Sequence, residues 1–262
     1  MTRRSREVGI IKSCVLGAAL AAGLAVPAQA DDNKLTLSAT AAFTTDYIFR
    51  GVSNSGNNPA VQPEFDLYYG IFYAYIWGSN IDFGGAVNAA GVAKDVASIE
   101  IDYGAGITPK WGPITFNIAG LYYTYPGAFD PLGEFNYFEL KTGASWTGGN
   151  WTLGVINYWS PNTFGQVGDA NATEGSLAYA LSRKLFNFFS PTISGGVGYQ
   201  WEENLPSFTY WNAGLTLGFM EHWSADVRYW DTSLSDVDCL AFTALSSNLC
   251  DARVVGTLKA VF

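Results

Sequence analysis

Stretches in which apolar and polar residues alternate recur along almost the whole chain, and they constrain the fold more than any other feature. We count about twelve such segments, each of the length that a tilted strand needs to cross a membrane. Proline cannot donate a ladder hydrogen bond, so we expect a bulge at Pro63. The segments cover residues 35–48, 60–70, 72–82, 97–107, 113–124, 135–147, 150–160, 173–183, 190–200, 208–219, 222–231 and 252–262.

The gaps between these segments alternate in length. Odd gaps are long, such as residues 83–96 and 232–251, whereas even gaps are mostly tight, such as Gly70-Ile71. An even strand number, with short turns at one end and long loops at the other, is typical of bacterial outer-membrane barrels. The sequence therefore predicts an all-β fold over residues 31–262, a transmembrane antiparallel up-and-down β-barrel of about twelve strands.

Charged residues keep to one parity within the segments, and aromatic residues crowd the other parity near the strand ends. Period-2 alternation places the two sets on opposite faces of a strand. A charge at the bilayer centre costs about 2–4 kcal/mol, so we expect the charged set to face the lumen. A soluble sheet would show the same local pattern, but its aromatic residues would form a core instead of two interfacial girdles. The predicted lumen residues are Arg50, Glu64, Asp66, Asp82, Glu100, Asp102, Glu139, Lys141, Asp226 and Arg228.

Both ends of the chain carry the signals of an exported barrel. A basic stretch over residues 3–12, an apolar run over 15–26 and Ala28-Gln29-Ala30 predict a secretory signal peptide over residues 1–30. No segment after it has the roughly 18 apolar residues that a membrane helix needs. The alternating C-terminal segment ends on Phe262, as in the closing strand of bacterial outer-membrane barrels. We therefore expect the barrel-assembly machinery to recognise Phe262, and we expect outer-membrane lipid and lipopolysaccharide to surround the protein.

Net charge limits the partners of the chain. Its formal net charge is −9, with 14 Lys and Arg against 23 Asp and Glu. Four of those basic residues but one of the acidic residues belong to the predicted leader, so the remainder is more acidic still. Nucleic acids and anionic membrane surfaces bind cationic patches. We therefore exclude nucleic acid as a partner.

The first half of the chain resembles a known family. The motifs on which the resemblance depends are DYIFRGVSNS at residues 46–55, PAVQ at 59–62, WGSNIDF at 77–83, EIDY at 100–103, YYTYPG at 122–127 and NYFEL at 136–140. They are similar to the TorF-type porins, a proteobacterial outer-membrane family. The resemblance implies a barrel and suggests a pore, and it brings no catalytic residue, cofactor or substrate with it.

The sequence offers no clear catalytic or metal site. Its single histidine, His222, is predicted in a periplasmic turn, where it cannot serve a hydrolase in the lumen or outer leaflet. Glu100 and Asp102 could act as acid and base, although two carboxylates on one strand face are expected to line a wet lumen. No His/Cys cluster has metal-ligand spacing, and we expect no cofactor. Four loop acids could bind Ca²⁺ or Mg²⁺, with solvated loop charge as the favoured alternative: Asp231, Asp236, Asp238 and Asp251.

Two cysteines follow the predicted leader, and both lie in the last long loop. An even pair in an exported protein predicts a disulfide between Cys239 and Cys250. Closing a loop of about 12 residues, it would contribute roughly 2–3 kcal/mol to stability. We assign it to loop rigidity and protease resistance.

Three functions fit these observations. The width of a lumen in a barrel of about twelve strands lies between that of filled eight-stranded barrels and that of open sixteen-stranded porins. This width favours a narrow channel for ions or small solutes. An acid-rich wall would favour cations. We expect Arg50 to pair with Glu64 or Asp66 as a constriction, with a rim salt bridge as the alternative. The other two functions are a closed barrel with a structural or surface-binding role and, less favoured, a lipid-modifying barrel enzyme.

Overall fold

Twelve antiparallel strands form a closed barrel within the residues that the computed structural model describes, 34–87, 93–129, 134–243 and 245–262. The first and last strands pair from Thr40↔Val261 to Thr44↔Thr257, which closes the sheet. The predicted signal peptide lies outside the described residues. The strands are β1 (Thr36–Thr44), β2 (Ala60–Tyr69), β3 (Phe72–Asn80), β4 (Ile99–Ile107), β5 (Ile114–Thr124), β6 (Tyr137–Gly148), β7 (Trp151–Ser160), β8 (Ala170–Ala180), β9 (Ser190–Glu202), β10 (Phe208–Phe219), β11 (Trp223–Thr232) and β12 (Arg253–Val261).

The predicted number of strands is confirmed. The alternation of long and short connections holds except around β9, where the connection before the strand spans residues 181–189 and the one after it spans only 203–207. Three boundaries differ by three residues or more, the end of β1 and both ends of β8. β1 ends at Thr44 because its hydroxyl donates to the Asp46 carbonyl and the chain turns away from the sheet. β8 begins at Ala170, three residues earlier than predicted, because its first inward residues are small alanines that give a weak alternation signal.

Short elements occupy the loops between the barrel strands. Most lie at the end of the barrel that carries the long loops, and the pair Lys110–Trp111 lies at the opposite end. They are the hairpin of Ile48–Phe49 and Val52–Ser53, the pair Gly85–Val87 and Ala93–Asp95, the strand Lys110–Trp111, the 3₁₀ turns Phe164–Gln166 and Ser247–Cys250, and the helix α1 (Asp236–Thr243).

The expectation of a bulge at Pro63 is wrong. The register of β2 with β1 runs through Ala41↔Pro63 without an extra residue. The ladder between β2 and β3 begins at Glu64↔Trp77, beyond the proline. The missing N–H of Pro63 therefore falls where no ladder bond to β3 is formed.

The outer face of the barrel is apolar. Leu37, Phe65, Val227 and Val254 each expose more than half of their surface. Exposed apolar area on this scale is not expected of a soluble monomer. Exposed aromatic residues lie near both rims: Phe43, Trp159, Tyr199, Trp201 and Tyr229 towards the long loops, and Phe72, Trp111, Trp146, Trp151 and Trp223 towards the short turns.

Side chains and one inserted loop occupy the interior on the long-loop side. Buried aromatic residues, including Tyr47, Tyr123, Tyr137 and Tyr158, line the part of the wall built by β3 to β7. A polar cluster around Arg228 lies on β9 to β11. In the described part of the chain, no helix has the length and hydropathy needed to cross a membrane.

A disulfide joins Cys239 on α1 to Cys250, with the two Cα atoms 6.0 Å apart. Both cysteines pack with Val52, Phe208 and Leu249 in a small buried cluster. The last long loop is therefore fixed against the loop that follows β1.

Replacing both cysteines, Cys239→Ser with Cys250→Ser, should lower the free energy of unfolding by roughly 2–3 kcal/mol, because the unfolded chain is no longer closed into a short loop. Urea unfolding of the oxidised and reduced wild-type protein beside the variant measures the difference. The reduced wild type should match the variant. Two reactive thiols in oxidised, denatured protein would contradict the bridge.

Candidate functional site

The connection between β1 and β2, residues 45–59, folds into the barrel, and we call it loop 1. Its tip is a tight turn in which Arg50 and Gly51 have left-handed φ angles of 49° and 85°. A side chain at Gly51 would collide with that of Thr232 on β11, so the turn requires glycine there. This turn directs Arg50 across the lumen towards β6, on the opposite side of the ring.

Arg50 forms the central contact of the lumen. Its guanidinium donates two hydrogen bonds of 2.8 Å to the two carboxylate oxygens of Glu139 on β6. It also stacks near the rings of Phe49 and Tyr158, at 4.6 and 4.8 Å from their centroids. The Tyr123 hydroxyl donates to Glu139 at 2.9 Å. Both charged side chains are almost completely buried, so the pair is enclosed in the barrel interior.

The charge of Arg50 is stable in this position. Burial lowers the pKa of a guanidinium, but the Glu139 carboxylate more than offsets it, and the net pKa of Arg50 lies well above its ordinary value. In loop 1, burial and then the carboxylates of Glu100 and Asp102 raise the pKa of the Tyr47 hydroxyl well above its ordinary value. Tyr47 therefore stays a neutral donor.

Loop 1 is also fixed at its base. Asp46 accepts hydrogen bonds from Ser53 and Ser55, at 2.6 and 2.9 Å, and pairs with Arg253 at 2.8 Å. Arg253 in turn donates to Asn57 of loop 1. These contacts connect loop 1 to β12, so the position of Arg50 is held from both ends.

The expected partner of Arg50 was wrong. Arg50 pairs with Glu139 instead of Glu64 or Asp66, because loop 1 crosses the lumen instead of staying beside β2. Glu64 and Asp66 lie on the inward face of β2, partly and almost fully buried.

Asp82 also differs from expectation. β3 ends at Asn80, so Asp82 lies in the following loop, is exposed, and accepts a hydrogen bond from the backbone of Gly84. It does not join the buried charged residues of the interior.

The other predicted lumen residues lie on the inner wall. Glu100 and Asp102 are buried on β4 below loop 1, and Lys141 on β6 lies 5.8 Å from the ring of Tyr158. Asp226 and Arg228 form a second ion pair at 3.0 Å on β11.

The Arg228 cluster connects three strands. Arg228 donates to Asn212 on β10 at 2.6 Å and to Ser194 on β9 at 2.9 Å. Asp226 accepts from Thr216 on β10 at 2.6 Å. Both charged side chains are nearly inaccessible, so this cluster fixes the inner wall opposite the aromatic side.

Sequence reasoning missed two buried acids of the barrel strands, besides Asp46 of loop 1. Glu174 on β8 accepts a hydrogen bond of 2.6 Å from Tyr210, and Glu202 at the end of β9 accepts one from Gln200. Glu174 lies on the same face of β8 as Ala172 and Ala178, so the available signal was an acid in phase with small residues. That signal is weak without a second charge on the same strand.

The loop acids and His222 make local contacts. Among the described residues, no group of three or more His, Cys, Asp or Glu side chains is placed to hold a metal ion. Asp238 accepts from Ser235 at the start of α1, and Asp231 accepts from Tyr229. His222 lies in the turn after β10 and stacks on Phe262, with ring centroids 5.2 Å apart.

Comparisons with known proteins give a family and a fold. The family model described as "Bacterial protein of unknown function (Gcw_chp)" matches residues 28–262. No curated protein matches the sequence. The solved KdgM porin is similar with a TM-score of 0.51 and 8% identity, over 86% of this chain and 99% of that one. The NanC porin is similar with a TM-score of 0.50 and 7% identity, over 86% and 98%. At these identities the likeness concerns the fold alone, and the TorF-type resemblance stays a prediction.

Proposed function

Because this chain belongs to the Gcw_chp family of bacterial proteins of unknown function, its function has to be argued from the barrel, and we propose an outer-membrane channel. It lets ions or small solutes diffuse passively through the lumen. The observation that carries the proposal is a polar, charged interior inside a barrel whose outer face is apolar. The similarity in fold to the KdgM and NanC porins supports it.

The membrane position follows from the outer face. Apolar side chains cover the strands between two levels of exposed aromatic residues, as the two interfaces of a bilayer require. Long loops then face the exterior and short turns face the periplasm. Outer-membrane lipid and lipopolysaccharide contact this face, and the barrel-assembly machinery recognises the exposed C-terminal Phe262.

The inner wall favours cations. Carboxylates in a pore concentrate positive ions and repel negative ones. In the described strands and loop 1, the inward acids outnumber the inward bases. The acids are Asp46, Glu64, Asp66, Glu100, Asp102, Glu139, Glu174, Glu202 and Asp226, and the bases are Arg50, Lys141, Arg228, Arg253 and Lys259.

Planar-bilayer recording under a KCl gradient tests the channel and its preference together. We expect discrete conductance steps and a reversal potential displaced towards the equilibrium potential of K⁺, because the wall carries net negative charge. A displacement towards the Cl⁻ equilibrium potential would contradict the cation preference.

One observation favours a second function, a closed barrel with a structural or surface-binding role. The Arg50–Glu139 pair spans the lumen and both side chains are buried. A protein that inserts into the bilayer but gives no conductance at any voltage would support the closed barrel and contradict the channel.

A further inference from the structure

Two carboxylates below loop 1 keep oxygen atoms without a hydrogen-bond partner. Glu100 and Asp102 lie two residues apart on the inward face of β4, with 1% and 8% of their surfaces exposed. Tyr125 donates to Oε1 of Glu100 at 3.4 Å. Oε2 of Glu100 and Oδ1 of Asp102 have no hydrogen-bond partner of good geometry among the described residues. The side chains of Tyr47 and Asn54 nevertheless lie near enough to interact with Glu100. A buried carboxylate without a partner is strongly unfavourable, so these two groups either bind a proton or are compensated by a positively charged ligand.

Aromatic rings surround these carboxylates. The register of β3 and β4 places Trp77 directly beside Asp102. Tyr47 of loop 1 packs edge-on against Trp77, with ring centroids 5.3 Å apart. We call this group the aromatic–acidic cluster, and its members are Tyr47, Trp77, Glu100, Asp102 and Tyr125.

The same lumen already holds one cation in such surroundings. The guanidinium of Arg50 lies near the rings of Phe49 and Tyr158 and pairs with Glu139. A carboxylate and aromatic faces together favour a weakly hydrated organic cation. Because Arg50 is paired with Glu139, its charge does not compensate Glu100 and Asp102.

The chemistry of the aromatic–acidic cluster favours an organic cation over a metal ion. Ca²⁺ takes about six to eight oxygen ligands, and Mg²⁺ requires near-ideal octahedral geometry. No group of acidic side chains in the described residues meets such a requirement. An ammonium or guanidinium group is satisfied by one or two carboxylates and gains from ring faces.

We propose that the aromatic–acidic cluster binds a small organic cation with one ammonium or guanidinium group. Glu100 and Asp102 are its counter-ions, and the rings of Tyr47 and Trp77 contact its apolar part. This inference rests on the proposed channel function and names the class of solute.

Isothermal titration calorimetry on residues 31–262 in detergent micelles tests the binding without any need for conductance. The probes are methylguanidinium chloride and n-butylammonium chloride, with n-butanol as an uncharged match and CaCl₂ and KCl as hard cations. We expect saturable binding of the two organic cations. Glu100→Gln with Asp102→Asn should weaken it at least about tenfold. Asp236→Asn with Asp251→Asn removes the same charge from the external loop and should leave the affinity unchanged.

A second variant separates the ring contacts from the charge. Trp77→Ala should weaken binding of the organic cations, and it keeps the test valid if the double carboxylate variant does not fold. Equal binding of n-butanol, stronger binding of CaCl₂, or full affinity in Trp77→Ala and in a folded carboxylate variant would overturn the inference. Conductance without binding of the probes would refute the inference alone. Binding without conductance would refute the channel and leave the cation site standing.

Discussion

Arg50→Ala should raise the single-channel conductance by about twofold or more, because it removes the side chain that spans the lumen. The guanidinium lies near two rings and is held by Glu139, so its loss removes a contact that crosses the lumen. The preference for K⁺ over Cl⁻ should also increase, since one positive charge leaves an acid-rich wall. Single-channel recording with reversal potentials measures both effects.

The control for this variant is Arg183→Ala, which removes the same charge from an exposed position in the short turn after β8. Its conductance and reversal potential should equal those of the wild type. Unchanged conductance in a folded Arg50→Ala variant would contradict the role of loop 1 as the constriction. A silent wild type with a conducting variant would show that Arg50 closes the barrel completely.

Arg228→Met should lower the free energy of unfolding by about 3–5 kcal/mol, because it leaves Asp226 as a buried charge without its partner. The substitution also removes the hydrogen bonds that Arg228 donates to Asn212 and Ser194, so contacts between β9, β10 and β11 are lost together. Urea unfolding in detergent micelles, followed by tryptophan fluorescence, measures the loss.

The double variant Asp226→Asn with Arg228→Met distinguishes an unpaired charge from lost packing. It removes both charges, so it should recover a large part of the stability lost in Arg228→Met. Arg183→Met, at an exposed position, should change stability by less than about 0.5 kcal/mol. Equal losses in the single and double Arg228 variants would mean that packing, instead of the buried charge, determines the effect.

The strands could be predicted from sequence because the pattern that encodes them is local. Each segment alternates between a face that meets water and a face that does not, so Glu100 and Asp102 could be assigned to the interior from their immediate neighbours. The lengths of the connections between consecutive segments then predicted that each strand pairs with the next one along the chain, in an up-and-down order. The weakest segment was β8, where inward alanines give little contrast with the outward residues.

Loop 1 could not be predicted in the same way. The partner of Arg50 is Glu139, 89 residues further along the chain, and nothing in the neighbourhood of either residue encodes that distance. Whether a long loop stays outside or enters the lumen depends on the space left by the opposite wall. The tight turn at Gly51 was visible as a glycine, but its direction depends on contacts with Thr232 and Tyr210.

Quenching of tryptophan fluorescence by brominated phospholipids tests the central claim most directly, that the outer face of the barrel contacts lipid. Of the nine tryptophans, Trp77 and Trp230 point inward and the others occupy the outer face. In vesicles, brominated lipid should quench most of the fluorescence. Trp77→Phe with Trp230→Phe should reduce the fraction that escapes quenching. Fluorescence that lipid-borne bromine leaves unchanged, from a chain that is compact in buffer without detergent, would contradict the membrane barrel and the channel with it.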